Sequence, residues 1–148
     1  MLVASPRAII DPMATALKTR CDVIEECYEF MLAYAAQGLP GDEGSQSGGQ
    51  LREMLRRAVN AIGGLSDECA AIVRENKLEP SSRYEAFLAV LTRDAADSQA
   101  ALDLVLAQPS LSSQLIDNLN ASIHLRALLT DLFLIDEIFK LQFLSRDR

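Results

Sequence analysis

Three segments of this sequence repeat apolar side chains in alternating steps of four and three, and few architectures accept that rhythm. The first segment carries Leu17, Cys21, Ile24, Tyr28, Met31 and Ala35. The second carries Leu51, Leu55, Ala58, Ile62, Leu65, Cys69 and Ile72, and the third Tyr84, Leu88, Leu91, Ala95, Ser98, Leu102 and Val105. Such steps draw one stripe along one side of an α-helix, the seam by which helices pack side by side. Aromatics make up only 5% of the chain and Trp is absent. Close-packed helices suit that composition better than strands, which favour β-branched and aromatic residues.

Punctuation sets the boundaries. Asp11 and Pro12 read as a cap and first helical position, and Gly38 and Pro40 close a helix ending near Gln37. Residues 38–49, rich in Gly, Ser and acids, read as a flexible loop. A second helix is expected from about Gln50 to Asn76. Gly63 and Gly64 lie inside it and weaken it by roughly 1 kcal/mol each against Ala. The seam stays in phase across them, so one helix, at most kinked, is predicted. Ser82 and Glu85 have capping-box spacing at the head of the third helix. Pro109 ends that helix, and Ser110 or Ser112 caps the fourth, expected from about Leu111 to Leu144. The predicted fold is all-α: a four-helix up-and-down bundle forming a single domain over residues 1–148. An apolar N-terminal arm, residues 1–11, precedes it, and the C-terminal helix is its longest element.

That last helix is apolar on more than one side. Leu125, Leu129, Leu132, Phe139 and Phe143 form one stripe, broadened by Leu128, Ile135 and Leu144. Leu134, Ile138 and Leu141 form another. Charges recur too often for a membrane span, which needs roughly 20 predominantly apolar residues. One face therefore serves the chain's own core and the other a partner. Leu134, Ile138, Leu141 and Phe143, with Ile9 and Ile10 of the arm, are the predicted partner interface. The partner is a second copy, as a homodimer, or another helical protein.

The formal net charge of −7 argues against nucleic acid, which requires a basic face. Arg52, Arg56 and Arg57 read as a solvated cluster, and Asp22, Glu25, Glu26 and Glu29 as the solvated side of the first helix. Three cysteines without short spacing make neither a disulfide framework nor a zinc site, and the N-terminus lacks a signal-peptide pattern. The setting expected is cytoplasmic. A di-iron bundle needs two Glu-x-x-His pairs, whereas His124 is the single histidine. No cofactor, metal site or catalytic motif is predicted.

The expected function is accordingly that of a non-enzymatic adaptor, chaperone or regulator acting through helix–helix contacts. Two alternatives follow from particular residues. His124 with Arg126 loosely resembles the site of a histidine phosphotransfer bundle, although Ala127 and Leu128 replace, respectively, the basic and the small neighbour of that pattern. Gly63, Gly64, Ala95 and Ser98 are small enough to leave a pocket for a small-ligand sensor.

Overall fold

The computed structural model describes residues 16–146, and these are helical throughout apart from short connections. The predicted arm, including Ile9 and Ile10, and the Asp11–Pro12 cap lie outside the described residues. In chain order the helices are α1 (Lys18–Ala35), α2 (Gln46–Ile62), α3 (Leu65–Glu75), α4 (Ser81–Leu106), α5 (Ser113–Ala121) and α6 (His124–Arg146). Helix α1 packs against α2, α5 and α6, and α4 packs against α2, α3, α5 and α6. No helix among them is long and apolar enough to cross a membrane.

The predicted seams supply most of the core, although Cys21, Tyr28, Ala35 and Leu88 are only half-buried and Cys27 and Tyr34, outside the α1 seam, are fully buried. Ile24 and Met31 of α1, Leu51 and Leu55 of α2, Leu91 and Leu102 of α4 and Phe139 and Phe143 of α6 are all essentially inaccessible. Gly38 adopts the left-handed conformation (φ 68°) expected of it just beyond α1. The Ser112 hydroxyl caps α5 by accepting from the Leu115 N–H at 3.0 Å. The capping box at Ser82 is not used. Helix α4 starts two residues earlier, with Pro80 in place of Ser82 as its N-cap, and the Glu79 carboxylate accepts from the Ser81 N–H.

Two of the four expected helices are each divided, so the expectation of four continuous helices does not hold. The second breaks at Gly63–Gly64, yet its seam remains buried on both sides, from Ile62 to Leu65 and Cys69. Neither glycine has positive φ. What the break exploits is the missing side chain. A Cβ on Gly64 would overlap the Arg20 guanidinium, and one on Gly63 would press on the Gln99 amide. Arg20 Nη1 donates to the Asn60 and Ala61 carbonyls at 3.3 and 3.1 Å, and Gln99 Nε2 to that of Val59 at 3.0 Å. Two side chains from other helices thus add donors to the last carbonyls of α2, two of which, Val59 and Ala61, also accept from the N–H groups of Gly63 and Gly64. Arg20 also pairs with Glu68, in the first turn of α3, at 3.6 Å.

The fourth expected helix breaks at Ser122–Ile123, where no Gly or Pro announces it. Ile123 sits in the left-handed region at φ 64°, an unfavourable place for a β-branched residue, costing about 1–3 kcal/mol. Local and tertiary bonds hold it there. Ser122 Oγ donates to the Leu119 carbonyl at 2.6 Å, and Ser98 Oγ reaches across from α4 to the carbonyl of His124 at 3.0 Å. The turn lets α5 pack on α1 while α6 packs on α4.

The predicted flexible loop is shorter than expected and tethered. Helix α2 begins at Gln46, capped by the Ser45 hydroxyl, and takes in Gly48 and Gly49. Asp42 accepts from Arg52 Nε at 2.5 Å and from the Leu111 N–H at 2.6 Å. Arg52 also donates to the carbonyls of Leu106 and Gln108 at 3.2 and 3.0 Å. Leu39 and Ser113 exchange two bonds, Ser113 Oγ donates to the Tyr34 carbonyl, and the Tyr34 hydroxyl donates to that of Leu111. Arg52 is therefore a clasp between loop and helix ends and not part of a solvated cluster; Arg56 and Arg57 are exposed as predicted.

Candidate docking surface on the last helix

Helix α6 faces inward with Leu125, Leu128, Leu132, Ile135, Phe139 and Phe143, all buried. Its outward side is also apolar. Phe133, Leu134, Leu141 and Leu144 are 55%, 50%, 57% and 59% exposed. Three other large apolar side chains are comparably exposed, Leu32, Leu104 and Ile123, and none of them shares an element with another. Among the described residues, exposed large apolar side chains are therefore concentrated on α6. At the helical repeat its four residues fall within about 100° of arc, a single face.

Beside that face runs a groove of about 270 Å³ between α1 and α6. Leu132, Phe139 and Phe143 form its apolar wall, Phe133 stands at its edge, and Asp22, Glu25 and Asp136 supply acidic groups. The two lysines at the groove are each engaged within their own helix. Lys18 pairs with Asp22 at 3.1 Å and Lys140 with Asp136 at 3.0 Å. The Asp136 carboxylate raises the Lys140 ammonium pKa above its ordinary value.

Cys21 also lines this groove, but its chemistry is blunted. Burial, reinforced by Asp136, Glu25 and Asp22, pushes its thiol pKa up to about 12. A thiol at that value carries almost no thiolate at neutral pH and is a poor nucleophile. Cys27 and Cys69 are likewise pushed up to about 12, chiefly by burial. Among the described residues no group of three or more His, Cys, Asp and Glu side chains could hold a metal ion.

No family model, curated protein or solved structure matches this chain.

The predicted interface residues divide. Leu134 and Leu141 are on the outward face, whereas Ile138 is half-buried against the core. Phe143 is fully buried and cannot present itself to a partner. Phe133 and Leu144 take its place. Sequence reading assigned Leu144 to the inward stripe and gave Phe133 no role. A helical-wheel projection would have put both beside Leu141; only the packing of α4 and α1 shows which side is covered.

His124, the phosphotransfer candidate, is exposed and is the first residue of α6, immediately after the strained Ile123. The proposed ligand pocket is already filled by protein. Gly63 and Gly64 face Gln99 and Arg20, and Ser98, with Ala95 one turn before it on α4, is buried with its hydroxyl committed to the His124 carbonyl.

Among the described residues, two further side chains, Asn120 and Asp131, carry buried polar atoms without a partner. Asp131 Oδ2 is buried with no hydrogen-bond donor facing it. Burial first, and then the neighbouring carboxyl of Asp94, push its pKa up to about 7.

Proposed function

We propose that this chain is a non-enzymatic interaction protein that docks an apolar helix against the outward face of α6. The supporting observation is the concentration of half-exposed Phe133, Leu134, Leu141 and Leu144 on one side of a helix whose other side is core. Exposed clusters of large apolar side chains on a soluble protein mark interaction sites. The partner is an amphipathic helix, either of a second copy in a homodimer or of another protein, whose apolar anchors recur at helical spacing. Three unpaired cysteines suit a cytoplasmic, reducing setting. The work assigned to the site is burial of apolar surface, and it involves no bond-making.

Photo-cross-linking tests this directly. A photoreactive amino acid is placed at Leu134 or Leu141, with Asp103 on the exposed side of α4 as control. Irradiation of the full chain in extracts of the cells that make it should yield adducts from both α6 positions and none from the control. Adducts that are equally abundant from Asp103, or absent from α6, would overturn the assignment.

A further inference from the structure

The outward face of α6 has an internal order that selects its partner. Along it lie Phe133 and Leu134, then Glu137, then Lys140, then Leu141 and Leu144. Two apolar residues stand at each end, with one acidic and one basic residue between them. Phe133 and Leu144 are equidistant from a point between Ile138 and Phe139, and Glu137 and Lys140 are equidistant from that same point. Leu134 and Leu141 have their midpoint one residue away. Glu137, Lys140 and the four apolar residues are all exposed, while Ile138 and Phe139 at the centre turn inward.

We propose that the partner of this face is a second copy of the same chain, docked antiparallel about a twofold axis passing between Ile138 and Phe139. This rests on the reading of α6 as a docking face. In that register Phe133 meets Leu144 of the other copy, Leu134 runs beside the other copy's Leu141, and Glu137 faces the other copy's Lys140. Each contact occurs twice, because an isologous interface pairs residue i with j and j with i. A twofold axis at Glu137 would set Lys140 against Leu134, and one between Lys140 and Leu141 would set Glu137 against Leu144. An unrelated helix would need its own opposite charges at this spacing; the chain already supplies them to itself. The internal Lys140–Asp136 pair does not forbid the contact, since an ammonium carries three donors and that pair is exposed at α6's flank.

Charge reversal makes the register testable without touching the core. Sedimentation equilibrium of the full chain over a wide concentration range should show a reversible dimer. Glu137→Lys sets two Lys–Lys pairs in the homodimer, and Lys140→Glu sets two Glu–Glu pairs. Each should weaken self-association roughly three- to tenfold. An equimolar mixture of the two variants restores both opposite-charge pairs in the heterodimer, so it should associate as tightly as the natural chain. Leu134→Glu should reduce the dimer in every combination. Recovery on mixing, with like-charge weakening of each variant alone, is the supporting result. A chain that remains monomeric overturns self-pairing, and cross-links from Leu134 to other proteins would then leave the docking face standing. A dimer indifferent to both reversals overturns the register. Monomeric behaviour with no α6 cross-links overturns the inference and the docking face together.

Discussion

The Arg20 guanidinium lies against the α-carbon of Gly64, in the space that a side chain there would occupy. From that position it bonds the last carbonyls of α2 and pairs with Glu68 of α3, so one α1 side chain spans the helix break. Removing it should cost more than a surface ion pair. Arg20→Ala is expected to destabilise the fold by about 1–3 kcal/mol, because the Asn60 carbonyl loses its donor, the Ala61 carbonyl loses one of two, and the packing over Gly64 is lost. Urea denaturation of the variant measures this. A change within about 0.5 kcal/mol, the range of ordinary surface substitutions, would show that the arginine does not hold the break.

Gly48 and Gly49 are adjacent in α2 but should respond oppositely to alanine. A Cβ on Gly48 would overlap the backbone of Asp42, which cannot move without opening the clasp to Arg52 and Leu111. Nothing approaches a Cβ on Gly49. Gly48→Ala is expected to lose about 2–4 kcal/mol as an overpacked site, and Gly49→Ala to gain about 0.5–1 kcal/mol from helix propensity. Thermal unfolding of the pair checks the difference in sign.

Asp42 should govern acid stability. Its hydrogen bond to Arg52 holds its carboxyl below the usual range, helped by the Leu111 N–H and opposed by burial. A depressed folded pKa gives stability that is present above the unfolded pKa and is lost as pH falls through the folded value. The fold should therefore weaken below about pH 4, where unfolded carboxylates begin to protonate. In Asp42→Asn that part of the acid sensitivity should vanish, at the cost of lower stability at neutral pH. Denaturation midpoints between pH 2 and 7 give the comparison, and unchanged acid sensitivity in the variant would count against this role.

Asp131 should act in the opposite sense. Its folded pKa is raised to about 7, so the stability linked to its proton is complete below the unfolded carboxylate pKa and lost as pH rises through about 7. Asp131→Asn removes the titrating charge beside Asp94. The variant should match the natural chain near pH 4 and exceed it increasingly toward pH 8, as read from melting temperature. A constant offset across that range would mean that Asp131 does not titrate with folding.

Much of the fold was legible in the chain. The four–three rhythm predicted most core residues of α2, α3 and α4 and part of those of α1, because helical spacing decides which side chains share a face, whereas the buried Cys27 and Tyr34 lie off the α1 seam. Gly38 and Ser112 marked helix ends by local backbone chemistry. The breaks were another matter. At Gly63–Gly64 the seam runs on in phase, and the helix ends there because Arg20 and Gln99, remote in sequence, reach in to hold its carbonyls. At Ile123 no local signal exists, since the strained conformation is maintained by bonds that include one from Ser98 of another helix. The same holds for Arg52, which reads as one of three neighbouring surface charges until Asp42 and the far end of α4 are brought beside it. For α6 the sequence by itself established that two sides are apolar. Only tertiary packing decided that Phe143 belongs to the core and Phe133 to the surface, because which stripe is covered depends on where other helices lie.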